Sequence, residues 1–130
     1  MNLHDRIVDM LPEKANADEH LVWRGRHLNL SFILNTGEQD YLISIRDGRV
    51  AAVKPGPLVM PTWTFRLEAD QASWREFWQP VPRPGFHDLF AMLKFRKLRI
   101  EGTLHPFMSN ILYFKQLLAS IRLEKEEAAQ

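Results

Sequence analysis

The chain has 130 residues and no cysteine, with 17 Lys+Arg against 16 Asp+Glu for a formal charge of +1, 45% hydrophobic residues and 11% aromatic ones. That length suits one domain with a core of its own, and the lack of cysteine removes disulfide frameworks, thiolate zinc sites and cysteine nucleophiles together. A near-neutral balance gives no support to a nucleic-acid partner drawn by overall charge, which calls for a strongly basic domain.

The first ten residues, Met1 to Met10, break their apolar positions with charges, unlike a secretory signal. No stretch approaches the roughly 20 apolar residues of a membrane span, and Glu126 to Gln130 carry neither a lipidation nor a peroxisomal motif. The expectation is a soluble cytoplasmic protein.

In chain order, Leu3, Ile7, Met10 and Leu11 fall at helical spacing and predict a short amphipathic helix that Pro12 ends. A polar connector follows. Leu28, Leu30, Phe32 and Leu34 then alternate with His27, Asn29, Ser31 and Ile33, the period of a strand with one buried face. Asn35-Thr36-Gly37 closes it, Tyr41, Ile43 and Ile45 resume the alternation, and Asp47-Gly48 signals a two-residue hairpin into a strand over 49–53. Lys54-Pro55-Gly56-Pro57 interrupts the pairing. Trp63, Phe65, Leu67 and Ala69 mark a fourth strand. Asp70 is placed to cap a helix that turns Trp74, Phe77 and Trp78 inward.

The segment 79–85 carries Pro80, Pro82, Pro84 and Gly85 and reads as a stiff extended connector; a proline-rich ligand motif is the functional alternative. Phe86, Leu89, Phe90 and Leu93 give a second short apolar helix face. Lys97 to Gly102 forms a fifth strand with Leu98 and Ile100 facing in, and Pro106 starts a long helix reaching Arg122. These elements make an α+β domain, a five-stranded and mostly antiparallel sheet with helices on one face. The whole chain, 1–130, is a single domain with its core over about 20–122, a helix and connector before it and a polar tail over 123–130.

Catalytic patterns are missing. No G-x-S-x-G elbow surrounds Ser31, Ser44, Ser73, Ser109 or Ser120, and the glycines are scattered singly with no phosphate loop. His4, His20, His27, His87 and His105 share no metal-ligand spacing. His87-Asp88 is the one base-and-carboxylate candidate, but neighbours on a helix point about 100° apart. His105 reads as a helix-entry residue. The chain is therefore read as a non-enzyme without a metal or cofactor.

The positive signal lies in residues 107–121. On a helical wheel Phe107, Ile111, Phe114, Leu117, Leu118 and Ile121 fill one side, and Met108 and Leu112 widen the apolar arc to about 220°, roughly twice what a sheet covers. The surplus faces other helices, a lipid-like ligand, a partner chain or a membrane. Trp74, Phe77, Trp78, Phe86, Leu89, Phe90, Leu93, Met108, Ile111, Leu112, Phe114 and Leu118 are the candidate lining of an apolar pocket. Lys94, Arg96, Lys97 and Arg99 cluster in six residues. They are either a solvated face at a helix end or a contact for anionic lipid headgroups, and no stacking platform interleaves them for nucleic acid.

Three segments together resemble the sterol-carrier-protein-2 type of lipid-binding domain: Tyr41 to Val50, Thr64 to Trp74, and Leu89 to Gly102, where Phe95, Lys97, Leu98, Ile100 and Gly102 match the family's lead into its final helix. The resemblance covers about residues 20 to 122, with the proline run over 80–84 standing where the family has a short glycine-containing turn. It implies a five-stranded sheet whose helices enclose an apolar tunnel for a sterol, fatty acyl chain or other lipid, with the final helix forming part of the wall and no catalytic residues. Members also serve as accessory or dimerising modules on enzymes. The leading expectation is a lipid-binding protein; the alternative is an interaction module that buries the same helix face on a second copy or a partner enzyme.

Overall fold

The structure, a computed structural model, describes residues 3–58 and 61–122; the acidic run Glu124 to Glu127 lies outside them. Helical backbone begins with α1 (Leu3–Asp5), passes through a π-helical turn (Arg6–Met10) and continues as α2 (Leu11–Ala17). The apolar spacing ends this helix at Pro12, whereas the chain stays helical to Ala17. The Leu11 amide reaches back five residues to the Arg6 carbonyl, and this wider turn, set just ahead of the proline, gives its ring room that a regular turn would deny. A further helix, α3 (Glu19–Arg24), occupies the stretch read as a polar connector, with the Asp18 carboxylate accepting the Leu21 amide at 3.1 Å. Leu21 is its one buried residue, too thin a pattern for periodicity to register.

The sheet contains β1 (Asn29–Asn35), β2 (Asp40–Arg46), β3 (Arg49–Pro55), β4 (Phe65–Glu68) and β5 (Arg99–Gly102) in the order β3-β2-β1-β4-β5. Every pairing is antiparallel except β1 with β4. Asp47 and Gly48 both take positive φ, 51° and 81°, the tight hairpin turn expected of that dipeptide. The edge strand β3 is closed at Val50 by Asn16, whose side-chain amide accepts the Val50 N–H at 2.8 Å and donates to its carbonyl at 3.0 Å, so part of an otherwise open edge is satisfied within the chain.

Register places Phe32, Ile43 and Phe65 side by side, with Leu34, Tyr41 and Leu67 in the next row. This face carries the core. Ser31, Ser44, Arg66 and Glu68 alternate onto the other. Four helices, α4 (Gln71–Phe77), α5 (Leu89–Lys94), α6 (His105–Ser109) and α7 (Ile111–Ala119), bring their apolar residues into the same core together with Ile7, Leu11 and Ala15 of the N-terminal segment. Phe65 stacks on Phe32 at 5.1 Å, and Phe114 meets both edge-on at 5.1 and 5.5 Å, geometries that suit the ring quadrupoles. The expected single helix from Pro106 is broken at Asn110, whose side chain donates to the Pro106 carbonyl at 2.9 Å and so competes with the backbone ladder.

Candidate functional site

Asp70 caps α4 as its position suggests, accepting the Ser73 amide at 2.7 Å, and the helix turns Trp74, Phe77 and Trp78 into the core. Both indoles are anchored: Trp74 donates to the Asn35 carbonyl at 2.8 Å and Trp78 to the Leu118 carbonyl at 2.7 Å. The two rings stack at 5.3 Å. Asp88 caps α5 in the same way through the Ala91 amide at 2.8 Å, directing Leu89 and Met92 inward.

The twelve residues expected to line a pocket divide by exposure. Trp74, Phe77, Trp78, Leu89, Phe114 and Leu118 retain at most 1% of their surface. Side chains so enclosed line no channel through the interior, although Phe77 underlies a cleft at the surface. They are filled core, packed ring against ring. Phe86, Leu93 and Ile111 are half-buried. Phe90, Met108 and Leu112 stand out at 42%, 45% and 58% exposure. The surplus of the apolar arc is thus real in position: Phe107, Phe114, Leu117, Leu118 and Ile121 are buried, while Met108 and Leu112 are left on the outside. Tyr113, which the wheel leaves off the apolar side, is also buried and donates its hydroxyl to the Gly48 carbonyl at 2.8 Å; burial raises its pKa well above the usual phenol value.

Beside Leu112 lies a cleft of about 290 Å³ floored by Phe77, Leu112 and Ala119 and rimmed by Arg24, His87, Asp88, Lys115 and Gln116. That volume is just under the roughly 300–1,000 Å³ of pockets that enclose a drug-sized ligand. Lys115 reaches Asp88 at 3.4 Å and lies 5.8 Å from the Phe90 ring centre. Arg122 staples the far wall, donating to the Phe77 carbonyl at 3.0 Å and to the His87 carbonyl at 3.2 Å. Burial lowers the Arg122 pKa against a contribution from Asp88 that raises it. For Asp88, burial acts to raise the pKa, but the Ala91 amide and Lys115 outweigh it and hold the carboxyl below its ordinary value.

His87 does approach Asp88, at 3.8 Å, because Asp88 is a cap outside the helix rather than its neighbour within one. The carboxylate is already engaged by Ala91 and Lys115, which leaves it poorly placed to orient a catalytic base. No group of three or more metal-ligating side chains occurs among the described residues. Nor is any described helix long and apolar enough to cross a membrane. A second hollow, about 410 Å³, sits at Ser31, Ser44, Arg46 and Trp63, away from the cleft. The sequence reading missed it; the serines at facing positions of β1 and β2 were the available signal.

Lys94, Arg96, Lys97 and Arg99 are all exposed. Arg99 is paired with Glu101 at 3.1 Å. The turn after α5 holds the other three together: the Arg96 amide donates to the Leu93 carbonyl at 3.1 Å and the Lys97 amide to the Met92 carbonyl at 2.7 Å, the paired bonds of a Schellman ending.

No family model matches the sequence, and no curated protein matches it. Solved structures do. The chain is similar to a crystal structure of sterol carrier protein 2, with a TM-score of 0.70 at 17% identity over 86% of this chain and 90% of that one. It is similar to a protein described as UbiJ-SCP2 ubiquinone synthesis protein, with a TM-score of 0.59 at 11% identity over 88% of this chain and 91% of that one. It also matches sterol carrier protein domain 2 of Helicoverpa armigera, with a TM-score of 0.55 at 14% identity over 89% and 87% of the two chains. At these identities the likeness is one of fold: the chain has the α+β fold of sterol carrier protein 2 domains, as the three sequence segments imply.

Proposed function

We propose that this chain is a non-catalytic cytoplasmic binding domain for an apolar ligand, a sterol, fatty acyl chain or other lipid, held between α7, the aromatic helices α4 and α5, and the sheet. The observation that carries the reading is the exposure of Phe90, Met108 and Leu112 on helices whose other sides form the core, with Leu112 lining a cleft that has Phe77 at its floor. Water released from this apolar surface drives binding. The fold, shared with proteins named sterol carriers, supports it. Because the innermost aromatics are closed, the ligand enters by parting α7 from α4 at the cleft, displacing Leu112 first.

Native mass spectrometry of the protein purified without detergent tests this. A copurified species of lipid mass is expected on the wild type, with occupancy reduced by Leu112→Glu, which sets a charge at the entrance. Ligand-free protein that takes up no acyl chain or sterol when either is added overturns the reading.

The same three exposed side chains favour one other use, as an accessory or dimerising module that covers them with a second copy or a partner enzyme. Light scattering on gel-filtered protein separates the two. A strict monomer that carries lipid removes self-association, and a dimer broken by Leu112→Glu without loss of lipid establishes it.

A further inference from the structure

The proline segment and the end of α5 meet at one place on the surface. A Cβ at Gly85 would lie 3.3 Å from the Phe95 ring, so the two loops are in contact. Phe86 sits between them, its ring centre 5.3 Å from the Arg83 guanidinium and 6.0 Å from the Lys97 ammonium. The Lys94 ammonium is 5.8 Å from the Phe95 ring centre. Phe95 projects here at 55% exposure, and Val81, four residues before Gly85 in the proline segment, stands out at 76%.

The charges around them are unequal in their commitments. Arg83 is paired with Glu76 at 3.3 Å and Arg99 with Glu101 at 3.1 Å, whereas Lys94, Arg96 and Lys97 make no ion pair with a described residue. The acids that share a hollow with Arg96 and Lys97 have other partners as well: Asp70, whose pKa Lys97 helps to lower, caps α4, and Glu68 pairs with Arg66. The backbone adds an independent observation. Arg96 takes φ 59°, in the left-handed region where glycine is the usual residue at a helix end. Stability alone favours glycine there. An arginine in that conformation places its charge on the turn at a cost in backbone energy, which suits a use for that charge.

We propose that this end of the molecule docks on an anionic lipid bilayer, with Phe95 and Val81 entering the headgroup layer and Lys94, Arg96 and Lys97 meeting lipid phosphates. Projecting apolar tips ringed by unpaired cations suit an interface that yields around them and whose surface potential attracts each basic residue. A nucleic acid would leave Val81 in water and meet one well-exposed ring, Phe95, where a run of bases needs several to stack on. An acidic protein partner requires a matching surface of about 1,000 Å² in total, far more than two loop tips provide. The proposal stands apart from the ligand reading, since none of these residues lines the Leu112 cleft.

The test is sedimentation of the full chain with vesicles of phosphatidylcholine alone and of phosphatidylcholine with roughly one third phosphatidylglycerol. Binding to the anionic vesicles, weakened by salt, is expected. Arg96→Gly should lower affinity about fivefold, the worth of one basic residue at such a surface, while its thermal midpoint stays level or rises; a merely structural arginine would give the opposite pair. Val81→Ser and Phe95→Ser should each weaken binding without altering its salt dependence. Equal binding to both vesicle types, wild-type affinity in Arg96→Gly, or preference for an RNA oligonucleotide or polyglutamate over the vesicles would overturn it. Wild-type lipid occupancy in Arg96→Gly by native mass spectrometry keeps this result separate from the fate of the cleft.

Discussion

Gly25 ends α3 where the ring of Tyr113 passes over it: a Cβ there would stand 2.5 Å from Cε2 and 2.7 Å from Cδ2 of that ring. The ring has nowhere to move, since Tyr113 is buried and its hydroxyl is fixed on the Gly48 carbonyl. Gly48 is equally confined, with a would-be Cβ 2.4 Å from the Val22 carbonyl oxygen. A hairpin turn, a helix end and the last helix are therefore locked together through two glycines and one tyrosine. Gly25→Ala is expected to cost about 1–3 kcal/mol, the usual penalty of overpacking a site that cannot relax. Tyr113→Phe removes one donor from a buried carbonyl and should cost about 1–2 kcal/mol. Urea unfolding of each variant reads both values. A Gly25→Ala protein as stable as wild type would mean that the ring yields after all.

At the scale of elements, three short helices start on aspartate: Asp18 caps α3, Asp70 caps α4 and Asp88 caps α5. Each carboxyl is held below its ordinary pKa, Asp18 chiefly by the Leu21 amide and Asp70 by the Ser73 amide; in Asp88 burial opposes the shift and the Ala91 amide with Lys115 prevails. A depressed folded-state pKa gives stability that is fully present above the unfolded carboxyl value and lost as pH falls through the folded one. Asp70→Ala should thus cost about 1 kcal/mol near pH 7, and the gap to wild type should narrow in acid, once the pH has fallen through the lowered folded-state pKa and the wild-type cap is itself protonated. Denaturant midpoints at neutral and acid pH measure this; a gap that widens in acid would refute it. The same elements show what the sequence discloses. Strand alternation, the Asp47-Gly48 turn and the Asp70 cap are local signals, each written in adjacent residues, and they locate the elements but not every end: β3 keeps its pairing through Lys54 and Pro55, where the sequence predicts an interruption, and β5 starts at Arg99 rather than Lys97. The π-turn that carries the first helix past Pro12, the single-contact helix α3 and the break at Asn110 depend on bonds that residue types do not announce. In the candidate site, the arc on 107–121 revealed a surplus of apolar surface. It could not distinguish Phe114, which closes on the sheet, from Leu112, which stays outside, because that choice is made by the helix's rotation against its neighbours.

Over the whole molecule, a filled interior stands against a proposed apolar ligand. The Trp74 and Trp78 rings stack at 5.3 Å, and their indole N–H groups are tied to Asn35 and Leu118, so α4 is held both to the sheet and to α7. Each hydrogen bond is worth about 1 kcal/mol net, small enough for a ligand to displace if its own buried surface exceeds the loss at about 25 cal/mol per Å². On the proposed entry from the Leu112 cleft, the Trp78 bond to the Leu118 carbonyl is the closure to be broken. Two results should then appear together. A bound acyl chain or sterol at about a hundred times its Kd adds roughly 2.7 kcal/mol of stability, a rise in Tm on the order of 10 °C for a chain of this size. The near-ultraviolet circular dichroism of the stacked tryptophans should change in the same titration, with the same midpoint. A rise in Tm with an unaltered tryptophan signal would place the ligand on the outer face of Met108 and Leu112, leaving the core shut. No rise with any lipid class would leave that exposed face to a protein partner.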